Sequence, residues 1–243
     1  KPNCPIPVEV ASTEGRQMAK QGCLARQPGK AARQRPQPTS HELTKDMIVN
    51  VLLALLHAEH IGVTPTHMIT INWEQAGVID GVRATGRFLK LYKDAAASRG
   101  WPTCHIWVRE TGKCHDDHVH ILIYIPPGNA GWLAKRKAGW LAKCGALRGR
   151  GISHTRSVTG RPLTPTPFEP VSNLYRANLD YVASYILKHS VSAVASLFGI
   201  DPRGGCTVKG KRVSVSQNMS MKARSECDFC DCGLRRGATK FWR

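Results

Sequence analysis

The sequence predicts an α+β protein with a central antiparallel sheet and flanking helices. Three observations carry that expectation. Segments at 67–73, 104–110 and 118–125 show the alternation or β-branched and aromatic enrichment of half-buried strands. An amphipathic helical pattern separates the first two. A short polar connection joins the second and third, which suits a hairpin. With 243 residues, 42% of them hydrophobic, the chain can bury a real core.

Residues 1–38 mix Pro, Gly, Gln, Lys and Arg without a hydrophobic period and predict a flexible basic arm. Residues 39–200 are the expected central domain, followed by a basic, cysteine-containing extension at 201–243. Thr39 with Glu42 makes a capping-box pattern ahead of a helix carrying Met47, Ile48, Val51, Leu52, Leu55 and Leu56, which closes near Gly62. On the strand at 67–73, Ile69, Ile71 and Trp73 share one face, Thr70 and Asn72 the other. Asp80 then caps a helix reaching about Ala97. It carries Val82, Phe88, Leu89 and Tyr92 inward, Arg83, Arg87, Lys90 and Lys93 outward, and Gly100 as its stop.

The strand at 104–110, the polar connection at 111–117 and the strand at 118–125 form the expected hairpin. His118 and His120 project from one face, about 6.7 Å apart along the strand. Two neutral imidazoles so placed make half a site for a divalent ion. With ten His in the chain, about 0.4 such pairs arise by chance, so the pair carries little weight alone. In a hairpin centred on the loop, Glu110 lies opposite His118 on the same face and adds a carboxylate, although a one-residue slip would turn it away. His115, Asp116 and Asp117 read as the loop that delivers the pair.

Gly-Trp-Leu-Ala-Lys occurs at 131–135 and again at 139–143, predicting a basic amphipathic helix. Its Trp132 and Trp140 pack inward, and Lys135, Arg136 and Lys137 are candidate phosphate contacts. Residues 146–170 are punctuated by Gly and Pro, with one strand within 152–158. The stretch 175–189 predicts a helix on which Tyr181, Tyr185 and Lys188 fall within about 60° of one another. Leu179, Val182, Ala183 and Ile186 form a separate apolar stripe, so the helix can bury a face without using its tyrosines. A short helix at 191–200 and strand structure at 208–216 complete the order.

Gly205 to Lys211 imitates a phosphate loop, but Arg212 stands where Ser or Thr is required. Cys227, Cys230 and Cys232 form a compact thiolate cluster that could hold zinc with a fourth ligand such as Cys206; unliganded thiols fit the spacing equally well. Thirty-five Lys and Arg against 17 Asp and Glu give +18, spread along the chain, which favours a polyanion and nucleic acid first. The nine cysteines are an odd number in a long chain and do not make a disulfide framework. With no secretory pattern and no apolar run of about 18 residues, the expectation is a cytoplasmic protein without a membrane partner.

The set Met68-Ile69-Thr70-Ile71-Asn72, His118-Val119-His120 and Tyr181-x-x-x-Tyr185-x-x-Lys188 resembles the His-hydrophobe-His (HUH) endonucleases. The tyrosines follow the histidines, as in rolling-circle replication initiators, and their pairing is similar to phage gene A and plasmid replicases. The resemblance covers about residues 67–190 and implies a ferredoxin-like or RRM-like core of β-α-β-β-α-β type. It implies sequence-specific nicking and joining of single-stranded DNA, with Tyr185 and Tyr181 as nucleophiles and Lys188 assisting. It also implies Mg²⁺ or Mn²⁺ on His118, His120 and Glu110, DNA contacts at Thr70 and Asn72, an origin in single-stranded or hairpin form, and a host helicase and polymerase. A rolling-circle transposase would use the same chemistry. A non-catalytic nucleic-acid-binding protein with a zinc-bound cysteine cluster is the alternative of a different class.

Overall fold

A computed structural model describes residues 38–111, 117–147, 151–158, 181–204 and 207–227. The expected basic arm, apart from Pro38, lies outside them. The expectation of an α+β protein holds: a five-stranded antiparallel sheet and a two-stranded sheet are flanked by helices.

Helix α1 (Lys45–His60) is capped by Thr44, whose hydroxyl accepts from the Met47 amide at 3.3 Å. The capping box at Thr39 and Glu42 does not form. Thr39–Ser40 is instead strand β1, paired with Val208–Lys209 (β6), because backbone pairing with a distant strand outcompetes a local cap. Strand β2 (His67–Asn72) is followed by buried Trp73, whose indole donates to Thr85 at 2.8 Å. Helix α2 (Gly81–Ala97) starts at Asp80, which accepts from the Arg83 amide at 2.9 Å and stabilises the first turn.

Strands β3 (His105–Thr111) and β4 (Asp117–Ile123) form the hairpin, with Glu110 opposite His118 as the sequence predicts. Pairing continues to Thr111 and Asp117, so the connection is 112–116 rather than 111–117. Asp117 is strand rather than loop because its carboxylate takes a forked pair of hydrogen bonds from Arg109, at 3.1 and 2.7 Å. Arg109 also donates to the Lys209 carbonyl at 2.9 Å. At Gly81 a Cβ would stand 2.3 Å from the Asp117 carboxylate, so only glycine lets α2 begin beside this pair.

Helix α3 (Ala130–Lys143) and strand β5 (Ser153–Ser157) follow. The described part of the tyrosine helix, α4, covers 181–186. Helix α5 (Ser192–Leu197), strand β7 (Val213–Val215) and helix α6 (Met221–Ser225) follow among the described residues. The large sheet has the order β5-β2-β4-β3-β7. Its first four strands form the β-α-β-β-α-β arrangement with β4 lying between β2 and β3. The C-terminal stretch supplies β7, an edge strand of this sheet.

Strand alternation divides the core into two layers. Ile69, Ile71, Trp107, Val119 and Ile121 face α2 and α3, where they pack on Phe88, Leu89 and Trp140. Met68, Ile106, Val108 and Leu122 face the other way, toward Ile48, Val51 and Leu55 of α1 and Val182, Ala183 and Ile186 of α4. Burial of each large aliphatic side chain contributes about 1.5–3 kcal/mol. Tyr185 packs half-buried against the edge of this cluster, while Tyr181 stays exposed.

His105, 7% exposed at the start of β3, has an Nδ1 that makes no hydrogen bond among the described residues. Burial, assisted by Lys93 and Lys211, lowers its pKa from 6.5 to about 4. The unfolded chain therefore takes up a proton first as pH falls, and stability declines between about pH 6.5 and 4, by up to about 3 kcal/mol. Urea midpoints measured across this range should show a shallower decline in His105→Phe than in the parent.

Candidate metal centre

The register of β3, β4 and β2 builds the centre. Glu110, His118 and Asn72 make one row across the sheet; Val108, His120 and Thr70 make the next. Side chains two residues apart share a face, so the carboxylate and both imidazoles project from the α1 and α4 side. Their donor atoms all lie within 4.8 Å of one another, and Glu110 and His120 are buried, each 1% exposed.

Glu110 Oε2 is the point of convergence. His118 Nε2 lies 3.3 Å from it, His120 Nε2 3.4 Å and His189 Nε2 3.4 Å. The Lys188 ammonium stands at 2.5 Å. Burial alone would raise the Glu110 pKa, but His118, His120 and His189 outweigh it and hold the carboxyl far below the usual range, so it is ionised at neutral pH. Burial dominates at His120 and lowers its pKa, favouring the neutral imidazole that serves as a metal ligand. Two imidazoles with an ionised carboxylate make a donor set for a divalent cation.

Two buried atoms test the fit. His120 Nε2 and Glu110 Oε1 make no hydrogen bond among the described residues. Buried polar atoms are ordinarily satisfied, so a lone pair and a carboxylate oxygen left without donors suit a cation. The other His120 nitrogen, Nδ1, lies 2.9 Å from the Thr70 hydroxyl, which fixes the ring. Thr70, expected to touch DNA, therefore supports a histidine. Asn72 accepts from the Gln75 amide at 2.9 Å, so it also organises the turn after β2.

Helix α4 brings the tyrosines to this centre. The Tyr185 ring meets His120 edge to face, with centroids 5.1 Å apart. Lys188 lies just beyond the helical residues, in a turn, and its ammonium is 4.1 Å from the Tyr185 ring centroid. Burial and the Glu110 charge raise the Tyr185 pKa, against the opposing influence of Arg203 and Arg156. Tyr181, one turn earlier, is 65% exposed. Both tyrosines line an open groove of about 1210 Å³ with Thr70, His154 and Arg156.

Not every expected residue gathers here. Helix α3 packs on the opposite face of the sheet, so Lys135, Arg136 and Lys137 stand away from the carboxylate and imidazoles. Lys137 reaches β5, donating to Thr155 at 2.9 Å. Cys227 follows α6 and is half-buried; Cys206, Cys230 and Cys232 lie outside the described residues. His189 escaped the sequence reading. Its signal was adjacency to Lys188, but only the turn after α4 aims its ring at the carboxylate.

No helix among the described residues is long and apolar enough to cross a membrane. Thr70→Val, which keeps the shape but deletes the hydroxyl, should weaken divalent-ion binding about tenfold; calorimetric titration with Mn²⁺ checks this. Comparison of the chain with protein-family models, curated proteins and solved structures finds no match.

Proposed function

We propose that the protein is a metal-dependent endonuclease and strand transferase. It nicks and joins single-stranded DNA at a specific sequence and so initiates rolling-circle replication of a plasmid or phage. The observation that carries this reading is a phenol set against a ligand histidine: Tyr185 packs on His120 beside the Glu110 carboxylate. Binding alone does not call for a tyrosine and a lysine at an imidazole-carboxylate cluster, whereas nucleophilic phosphoryl chemistry uses all of them. The +18 charge supports a polyanionic substrate.

The groove that carries Tyr181, Tyr185, His154 and Arg156 suits a single strand, with exposed phenol and cation side chains beside the β5 edge. Mg²⁺ or Mn²⁺ held by Glu110, His118 and His120 would supply positive charge to the non-bridging oxygens of the scissile phosphate. Tyr185 Oη attacks phosphorus; the new phosphotyrosine bond forms as the bond to the 3′-oxygen breaks. The phenolic proton passes to solvent, and the departing 3′-oxygen takes one up to become a free hydroxyl that can prime synthesis. Burial disfavours the phenolate, so the nearby ammonium of Lys188 and the guanidinium groups of Arg156 and Arg203 favour the charge that develops. Tyr181, exposed in the same groove, is positioned to accept a second strand while Tyr185 holds the first.

Tyr185→Phe should abolish the covalent protein-DNA product formed with labelled single-stranded origin DNA and Mn²⁺, read on a denaturing gel. An adduct of undiminished yield would overturn the assignment. His120→Ala should lower cleavage at least a hundredfold, in keeping with loss of a metal ligand and its charge stabilisation, and chelation of the parent protein should do the same in a timed nicking assay.

A further inference from the structure

Much of the positive charge that the centre does not use is gathered on the opposite side of the sheet. Helix α2 carries four Lys or Arg and one acid, Asp94; α3 carries four and no acid. Lys90 pairs with Asp94 at 2.6 Å, and both stay exposed. Asp80, just before α2, is engaged by the Arg83 amide as the helix cap. At 100° per residue, Arg83, Arg87 and Lys90 fall within about 60° of one another on the solvent side of α2. All three are exposed.

The two helices lie side by side and antiparallel. Beyond the end of α2, Trp101 meets Trp132 at the start of α3, with ring centroids 5.0 Å apart. Earlier on α2, Phe88 and Tyr92 meet Trp140 edge to face. Arg87 is near enough to Cys144, which ends α3, for its charge to act on the thiol. Trp132 therefore marks the flank of α3 that turns toward α2. Arg136 and Lys143 lie within about 40° of it around the helix, and both are exposed. Arg83, Arg87, Lys90, Arg136 and Lys143 thus make one patch about 10 Å long, because seven residues of helix rise about 10 Å.

This patch offers charge without an open stacking surface. No exposed large hydrophobic residue belongs to α2 or α3. Trp101 and Trp132 are half-buried, and the Arg99 guanidinium covers both rings, 5.1 and 5.6 Å from their centroids. Proteins hold single strands by stacking bases on open aromatic rings, as exposed Tyr181 permits in the groove. A duplex keeps its bases inside and presents one phosphate charge per about 1.7 Å of axis, or about six over the length of the patch. The five cations suit that density. At Gly86 and Gly139 a Cβ would meet nothing within 4 Å among the described residues, so a phosphodiester chain has room at the helix surface. We infer that the face made by α2 and α3 is a second DNA site, which takes duplex DNA by its phosphates without reading sequence. The choice of DNA among polyanions rests on the proposed function. Duplex flanking the nick would be held behind the sheet while the single strand enters the groove in front.

The test is duplex binding by the full chain with chelator present, so no strand is cut and the result stands apart from the covalent readout of Tyr185. The probe is a fluorescent DNA duplex of arbitrary sequence, about 20 base pairs long, followed by anisotropy from about 50 to 200 mM salt. Arg87→Gln combined with Arg136→Gln keeps good helix formers on both helices and should make the slope of log affinity against log salt shallower by about two. Lys45→Gln combined with Lys222→Gln removes the same charge from exposed positions on α1 and α6 and should change the slope by less than about one. Failure of the parent to bind the duplex, a parent-like slope in the first variant, or equal losses in the two variants would overturn the inference. Tighter binding of an RNA duplex of the same length would overturn the choice of DNA. With Mn²⁺, the first variant should attach covalently to a short single strand as the parent does, which also reports its folding; a loss there matching the loss of duplex binding would overturn the separation of the two sites.

Discussion

A buried carboxylate must have its charge answered, and the fold around Glu110 does so from two directions. The residue is 1% exposed. Strand β4 brings His118 and His120 to it, while the turn after α4 brings Lys188 and His189. Removing one member of such a buried set leaves charge or lone pairs without partners, at a cost of about 3–5 kcal/mol for a broken buried ion pair. The position of α4 is therefore tied to the hairpin by electrostatics as well as by the apolar packing of Val182, Ala183 and Ile186.

That arrangement depends on a backbone register that cannot slip. Glu110 faces His118 because β3 and β4 pair through Thr111 and Asp117. A one-residue shift would put Glu110 among the hydrophobic residues of the α2 and α3 layer. The Arg109-Asp117 pair secures the hairpin end on the opposite face, and Arg109 also reaches the Lys209 carbonyl. Segments a hundred residues apart thus share one anchor. Leu43 adds another tie: its amide donates to the His189 carbonyl at 2.8 Å, which links the start of α1 to the turn that presents His189.

The two sides of the sheet have different physical duties. The α2 and α3 layer is a dry, aromatic-rich packing unit in which Trp140 meets both Phe88 and Tyr92 edge to face. The α1 and α4 layer is apolar beneath the helices and gives way, at one end of the strands, to the carboxylate, imidazoles and tyrosines. Packing behind the sheet supports the strands from which the polar groups in front project. The basic residues of α3 lie on the packing side, so charge along the sequence did not reveal which charges share a surface with the centre.

Local chemistry fixed much of the architecture in advance. Strand alternation at Ile69, Ile71 and Val119 to Ile123, the Asp80 cap and the apolar stripe of α4 each act over a few residues, so they are legible in one dimension. The facing of Glu110 and His118 was also legible, because a short hairpin joins pairing to loop length. The Thr39 cap was not: its competitor, β6, lies about 170 residues away, and no local pattern records that contest. Nor could periodicity find His189 or the support of His120 by Thr70. Residue spacing determines which side chains share a face, but a buried charge is neutralised by whatever folding brings within reach, from any position in the chain. Only tertiary packing decided that the turn after the tyrosines would close upon the carboxylate of the hairpin.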